Sequence, residues 1–586
     1  MLAGLGAQNA PSRSALTREK PPLSVGFYPE GGFFHQAIQV ELTAPGARIY
    51  FTTDGTTPKP HYSMKYGGPI TVTKTTVVRA IAVRGGETSV VFGHTYFIDE
   101  PETTIPVVSV SITPGLLFDP DYGLFVKGPN AIDSLWKLPG ANFWSRNEVP
   151  VNAEIFETDG ACVYRSQSGF RLFGGMSRLF PQKSFTLVAR KRYGQKRIKH
   201  EVFGKKGLKK FKFLVLRNSG SDYAKAHFRD AFMTTLIEDW NVDKQDFRPA
   251  HVYINGTYWG LYNIREKVNR YFIGDHHKEV DKDSIDLLEH YLVRKRGSRR
   301  AYKAFLNYLE THSLDNATNY AQVCSMMDVD NFMDYQIAQI YFDNRDAGGN
   351  IKYWRPQRPD GKWRWILYDT DWGFGLHDDQ AWKYNTLEFH TKPDGPNWPN
   401  PPWSTFILRK LLENRAFRQA FVNRFADRLN TSLSPEAVTE TLDRFYRLYA
   451  PEMPRHLARW RLSRSKWEEQ VAIMREFGQK RPAYMRQFLR AKFDTGAERK
   501  LEIETTHGGY VRLNQNLRVE GHFEGTYFQN MPVEVEAVPA LGYRFAGWEG
   551  IFTGNNASRL VLALHRKTYR LKAVFEKFED PLAGQI

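Results

Sequence analysis

The residues of this chain best suited to chemistry fall in two short stretches. Phe342-Asp343-Asn344-Arg345-Asp346-Ala347-Gly348-Gly349-Asn350 is followed by Trp363-Arg364-Trp365-Ile366-Leu367-Tyr368-Asp369-Thr370-Asp371-Trp372-Gly373. Asp369 and Asp371 are two apart, so an extended backbone sets both carboxylates on one side. Asp346, Asn350, Asp369 and Asp371 together suit Mg²⁺, which takes carboxylates, phosphate oxygens and water. Phosphoryl transfer needs such a clamp, a carboxylate to orient the attacking hydroxyl, and a cation on the phosphates. Acids in a glycine-rich loop also serve simply as turn formers.

The cation is expected upstream. Gly169 to Lys183 holds Gly174 and Gly175 between two strand-like runs, where a missing side chain lets backbone N–H groups approach phosphate. Arg178 and Lys183 add positive charge. The stretch is neither GxxxxGK[ST] nor GxGxxG, and as a bare motif it also reads as a plain hairpin with a surface lysine. Two carboxylates are open as partners of Lys183. Asp230 lies in the first turns of a helix expected to start near Ala224 and to be capped by Ser221 or Asp222. Glu266 ends the strand-like Trp259–Glu266, where it could instead accept a hydrogen bond from a ribose. His276 and His277 lack partners in sequence and read as surface residues.

These residues need positioning elements. Val329, Met333, Ile337 and Ile340 mark one face of a helix that Gly348-Gly349 is expected to stop. Strand-like runs (VNAEIFE, SGFRLFG, KSFTLVAR, KFLVLRN, AHVYING, WGLYNIRE) come first and helical sequence follows. That order is the α+β pattern and is compatible with two lobes and a cleft. Residues 22–99 and 500–578 alternate apolar and polar residues between turn dipeptides, reading as two small all-β domains around a core over 104–495. Residues 1–21 read as a disordered lead-in without the layout of a signal peptide.

The chain has 586 residues, 41% hydrophobic and 25% charged, which excludes wholesale disorder. No apolar run is long enough to span a membrane. The net charge of +17 favours polyanionic partners without choosing among them. Residues 190–212 carry eleven Lys or Arg against one Glu, yet no nucleic-acid module accompanies them, so no nucleic-acid partner is expected. Two cysteines, Cys162 and Cys324, are too few for a disulfide framework or a thiolate cage.

Five ordered blocks, FGGMSRLFPQKSF, LRNSGSDYAKAHFRDAF, VYINGTYWGLYNIREKV, DNRDAGGNIKYW and WILYDTDWGFG, resemble the CotH kinase family of spore-coat-protein-H-like atypical protein kinases. The string IYFTTDGTTPKP…GGPITVTKTTVVRAIAV resembles the C-terminal domain of chitobiases and hexosaminidases. VEVEAVPALGYRFAGWEG resembles the divergent repeats of internalin-type surface proteins, with Trp548 expected in its core. The kinase resemblance implies a divergent two-lobed kinase core using ATP and Mg²⁺ or Mn²⁺ to phosphorylate Ser or Thr on coat or surface proteins. It further implies Lys183 on the nucleotide phosphates, Asp346 as the catalytic carboxylate, Asn350 and Asp369 on the metal, and Asp371 assisting. Asn350 follows Asp346 by four residues where ordinary kinases have five, and DTDWG offers two acids for one metal position. The accessories imply an extracellular or envelope setting, with the β domains contacting surface polymers or proteins. The alternative is a surface adhesion or binding protein without catalysis.

Overall fold

The computed structural model describes residues 22–205 and 207–578; the lead-in expected over 1–21 lies outside the described residues. The architecture is mixed α and β throughout, with a β unit at each end of the described chain.

At the N-terminal end, Gly26–Tyr28, Ile38–Thr43 and Ile70–Val72 form one sheet. Gly32–Phe34, Phe92–Ile98, Thr76–Arg84, Arg48–Thr52 and Met64–Lys65 form a second. Alternating inward residues such as Val40, Val78, Ala80 and Tyr96 fill the space between them. Phe97 meets Phe156 and Tyr253 edge-on at 5.4 and 4.9 Å, fixing this unit to the next. Beside that contact Glu154, buried, accepts from Thr95 at 2.5 Å and Arg165 at 2.8 Å.

The strand-rich half of the centre closes on itself. Val107–Ser111, Val149–Phe156, Cys162–Leu172, Phe185–Val188, Phe213–Arg217, Thr257–Glu266 and Phe247–Ile254 form a seven-membered barrel, sealed by the parallel pairing of the first strand with the last. Phe170, Leu172, Phe185, Leu187, Leu214, Leu216, Tyr262 and Ile264 fill it, following the period-two alternation of each strand. The residues between them form an outward row. Arg171 pairs with Thr186, Thr186 with Val215, and Val215 with Arg265. This row turns toward the helical half, where Arg265 reaches Asp230 at 3.0 Å.

Two local expectations are corrected. The helix expected from Ala224 begins at Arg229 and runs to Leu236, because Asp222 folds into a preceding 3₁₀ turn. From there its carboxylate accepts the Arg229 N–H at 2.9 Å and the Ala226 N–H at 3.1 Å, so it caps the helix from a distance. The helix Val329–Tyr341 is stopped by Asp343, in a left-handed conformation at φ 56°, and not by the two glycines. Its last carbonyls, on Ile340 and Tyr341, accept from the wholly buried Arg481 guanidinium at 2.9 and 3.1 Å, which also reaches the carbonyls of Trp382 and Tyr384. Arg481 sits on the 30-residue helix Arg464–Phe493, so the longest helix holds the end of the one leading into the acidic loop.

At the C-terminal end two four-stranded sheets pack face to face, with Trp548 buried as expected. They join the helix Arg415–Leu429 through Asp427, which accepts from Tyr527, Asn516 and Asn514 at 2.6, 2.8 and 2.9 Å. Both cysteines are free and part-buried.

Candidate functional site

The acids converge, though not by the route expected. The strand Arg364–Leu367 ends before them, and Asp369 adopts φ 58°, a region that disfavours non-glycine residues and is found at sites over-determined by their surroundings. The two carboxylates meet because a single guanidinium nitrogen holds both. Arg217 Nη2, at the end of a barrel strand, lies 2.5 Å from Asp369 Oδ1 and 2.9 Å from Asp371 Oδ2. Asp371 is 4% exposed and also accepts the Ser221 N–H at 2.8 Å; Asp369 is 38% exposed and faces the cleft. Gly220 is required here: at φ 60°, a Cβ on it would collide with Asp371 Oδ2. Thr370, between the acids, gives its backbone N–H and hydroxyl to Asp230 Oδ1 at 2.9 and 2.8 Å, which fixes the turn from behind.

Asp346 lies half-buried opposite. Its oxygens accept from Asn350 Nδ2 at 2.7 Å and from the Trp398 indole at 3.0 Å. Burial, with the nearby Asp369 charge adding to it, raises its pKa to about 6 against the pull of those two donors. Asp371 is likewise raised, by burial first, with Arg217 opposing and Asp369 reinforcing. Crowded carboxylates whose charges push each other's pKa upward are what a divalent cation would neutralise. The donor types suit one: Asp369 and Asp371 carry hard carboxylate oxygens and Asn350, its nitrogen engaged with Asp346, has its amide oxygen left to offer, while the three carboxylates are not drawn within 4.8 Å of one another.

The expected cations are elsewhere. Lys183 donates to the carbonyls of Arg178 and Phe180 at 2.6 and 2.7 Å and lies over the Phe143 ring at 4.6 Å. Burial alone lowers its pKa to about 8. Neither expected partner contacts it. Asp230 is taken by Arg265 and Thr370, and Glu266 by His276 at 2.8 Å and the Asp246 N–H at 3.1 Å. His276 and His277 are therefore not loose surface residues; His277 bonds Asp243 at 3.0 Å. Arg178 is also occupied internally, donating to the carbonyls of Gly174, Ser145, Phe143 and Leu172 at 2.8 to 3.2 Å. Gly174, at φ 96°, and Gly175 form a turn held by its own carbonyls rather than by strand pairing.

Two lysines that sequence reasoning missed lie near the site. Lys267 makes no salt bridge among the described residues, lies over the Phe213 ring at 4.9 Å, and has its pKa lowered to about 8 by burial and by neighbouring Arg171, Lys352 and Lys295. Lys352, two residues past Asn350, lies 3.6 Å from the Tyr368 ring centre and 3.8 Å from Glu289, within the field of Asp369. Arg217 thus meets Asp369 and Asp371 directly, Lys352 lies in the field of Asp369, and Lys267 and Arg171 lie beyond Lys352 on the same outward barrel face. Trp372 and Trp398, 5.3 Å apart and perpendicular, stand at one end, with Trp372 donating to Ser221 Oγ at 2.9 Å. Basic groups beside clustered acids can hold a polyanion together with a divalent cation.

Comparison with known families agrees with that chemistry. The family model described as CotH kinase protein matches residues 170–485, more than half of the chain, and the chain belongs to this family. Residues 29–92 match the chitobiase/beta-hexosaminidase C-terminal domain, which is the N-terminal two-sheet unit. No curated protein matches the chain significantly. Membership of the CotH kinase family implies an atypical kinase, and with it ATP.

Proposed function

We propose that this chain is a Mg²⁺-dependent atypical protein kinase that transfers the γ-phosphoryl group of ATP to serine or threonine hydroxyls of coat or surface proteins, outside the cell or at its envelope. The barrel and the helical half then serve as the two lobes of a divergent kinase. The observation that carries this reading is the approach of Asp346, from one loop, to Asp369 and Asp371, from another, beside Arg217 and Lys352. In the transfer, the acceptor oxygen bonds the γ-phosphorus, the bond to the bridging β,γ-oxygen breaks, and ADP leaves. Asp346 orients the acceptor hydroxyl and takes its proton. Arg217, Lys267 and Lys352 carry the charge of the phosphates. A magnesium ion held by Asp369 and Asn350, with Asp371 assisting, would supply neutralisation of charge on the transferring group. Lys183 acts on this site indirectly, by fixing the carbonyls of the turn that bears Gly174 and Gly175. The two end units act as accessories that contact surface polymers or proteins.

A second reading, a surface-binding protein without catalysis, draws on Arg217, which covers both acids that a metal needs. Thermal shift separates the two. ATP with Mg²⁺ at a hundred times Kd adds about 2.7 kcal/mol of apparent stability, and ATP without metal adds much less. Asp369→Asn is expected to remove the metal-dependent part. A wild-type chain with no shift under Mg²⁺ or Mn²⁺ favours the binding protein.

A further inference from the structure

The chain crosses twice between the barrel and a five-stranded sheet of the helical half. Asp243–Lys244, an edge strand of that sheet, leads through residues 245–246 into the barrel strand Phe247–Ile254. The barrel strand Thr257–Glu266 leads back through residues 267–269 into the helix Arg270–His276, whose Phe272 and Ile273 pack on Leu287, Trp354 and Ile366 of the same sheet. Asp246, Glu266 and His276 meet at these crossings: one side-chain ligand atom from each lies within 4.8 Å of the other two. Among the described residues no other three His, Cys, Asp or Glu side chains gather so closely.

Asp246 is 9% exposed and Glu266 3%. Two contacts hold these acids side by side: the Asp246 N–H donates to Glu266 Oε2 at 3.1 Å, and the Gln245 side chain donates to the Glu266 carbonyl. His276 Nε2 lies 2.8 and 2.9 Å from the two Glu266 oxygens. Lys205 takes Asp246 Oδ1, which leaves Oδ2 buried and without a hydrogen-bond partner among the described residues. Lys205 is itself shared with Glu238 at 3.1 Å, and the neighbouring Arg265 guanidinium is engaged by Asp230 at 3.0 Å. Two buried carboxylates are thus left with little compensating charge, and an orphaned buried carboxylate oxygen calls for an ion or a donor.

We propose that Asp246, Glu266 and His276 form a zinc site, apart from the acidic cleft, that pins both crossings between barrel and sheet. One imidazole and two carboxylates are the nitrogen and oxygen donors zinc takes, whereas Mg²⁺ and Ca²⁺ prefer oxygen alone. Two ligands about 2.1 Å from a tetrahedral zinc stand about 3.4 Å apart, so His276 withdraws from Glu266 by about half an ångström on binding. Its place as the last residue of a seven-residue helix, with a quarter of its side chain exposed, allows that shift and gives the ion a way in. Zinc then takes the Nε2 lone pair, the orphaned Asp246 oxygen and a Glu266 oxygen, and water fills the fourth position. The proton between His276 and Glu266 is released to solvent.

The test uses the untagged full chain, stripped with EDTA and titrated with Zn²⁺ against a chromophoric chelator in excess Mg²⁺. The expected result is one zinc per chain. Losing an outer partner of a metal ligand costs about 10–100-fold in affinity, so losing a ligand should cost at least about a hundredfold. His276→Ala and Asp246→Asn should each show that loss, and Asp369→Asn, in the acidic cleft, should not. No zinc on the wild type, unchanged binding in His276→Ala and Asp246→Asn, or loss in Asp369→Asn instead, overturns the site and leaves a histidine–carboxylate ion pair. If a variant fails to fold, zinc K-edge X-ray absorption of the wild type decides. One imidazole with oxygen scatterers at about 2.0–2.2 Å supports the site, and no imidazole, or more than one, overturns it. Bound zinc should also slow amide hydrogen exchange over 267–276; binding without that protection overturns the pinning role. None of these measurements needs turnover, so a catalytically silent chain would sink the kinase reading while the zinc site is still judged on its own.

Discussion

Arg217 concentrates the electrostatics of the site, since one of its nitrogens bridges the two acids that close the barrel–helix cleft. Its guanidinium is held strongly charged by Asp369, Asp230 and Asp371 against a large burial penalty. Removing it leaves buried negative charge uncompensated, so Arg217→Gln is expected to lower phosphotransfer at least about a hundredfold. Lys183→Gln keeps a donor for the turn carbonyls and should change turnover by no more than about threefold. Steady-state kinetics of the two variants check this, and the reverse order would return the phosphate role to Lys183. The acids themselves were legible in sequence: Asp346, Asn350, Asp369 and Asp371 stand where short glycine- and aromatic-flanked stretches pointed. Their cations were not. A lysine just ahead of a strand and an arginine just at the end of one look alike in sequence. Only closure of the barrel decides that Lys183 turns to carbonyls while Arg217 turns to acids.

At the level of elements, the acidic loop depends on how two helices and one turn end. Arg481 satisfies the carbonyls of Ile340 and Tyr341 where the helix before Asp346 runs out. Arg481→Leu leaves several buried carbonyls unpaired and is expected to destabilise the fold by more than about 3 kcal/mol, measurable by urea denaturation. A loss below about 1 kcal/mol would show that water replaces the guanidinium. Gly220→Ala is a gentler probe of the site alone: its Cβ displaces Asp371 from Arg217 and Ser221. It should abolish transfer while the far-ultraviolet circular dichroism stays native. Helix and strand existence followed from periodicity, as for Val329 to Ile340 and the barrel strands. Helix ends followed less closely: Asp222 caps as the pattern suggested, but from a 3₁₀ turn that delays the helix to Arg229, and Asp343 stops its helix through a left-handed backbone that a capping pattern does not encode.

For the whole molecule, both end units are tied to the centre through buried carboxylates. Burial lifts the Asp427 pKa to about 6 against the donors Tyr527, Asn516 and Asn514. A carboxyl raised above its ordinary value of about 3.9 favours the folded form when protonated. Its stabilising share is complete below about pH 4 and is lost as pH rises through 6, a change of about 3 kcal/mol. Calorimetry should therefore show this share weakening over that window. Asp427→Asn should remove that dependence, since Asn516, whose Oδ1 has no partner, can turn its amide to meet the new donor. An unchanged pH profile in the variant would place the titration elsewhere. The α+β class and both flanking β units were readable from the order of strand-like and helical stretches. Closure of the strand-rich half into a barrel was not, because it depends on the pairing of Val107–Ser111 with Phe247–Ile254, more than a hundred residues away.

The central claim is that Asp346 and the Asp369–Asp371 pair form one phosphotransfer centre. Incubation of the full chain with [γ-³²P]ATP, Mg²⁺ and surface-protein extracts, beside the Asp346→Asn variant, tests it most directly. The account predicts magnesium-dependent, alkali-labile label on protein that the variant reduces at least about a hundredfold while keeping ATP-dependent thermal stabilisation. Equal labelling by wild type and variant, or none by either across a range of extracts, would contradict it.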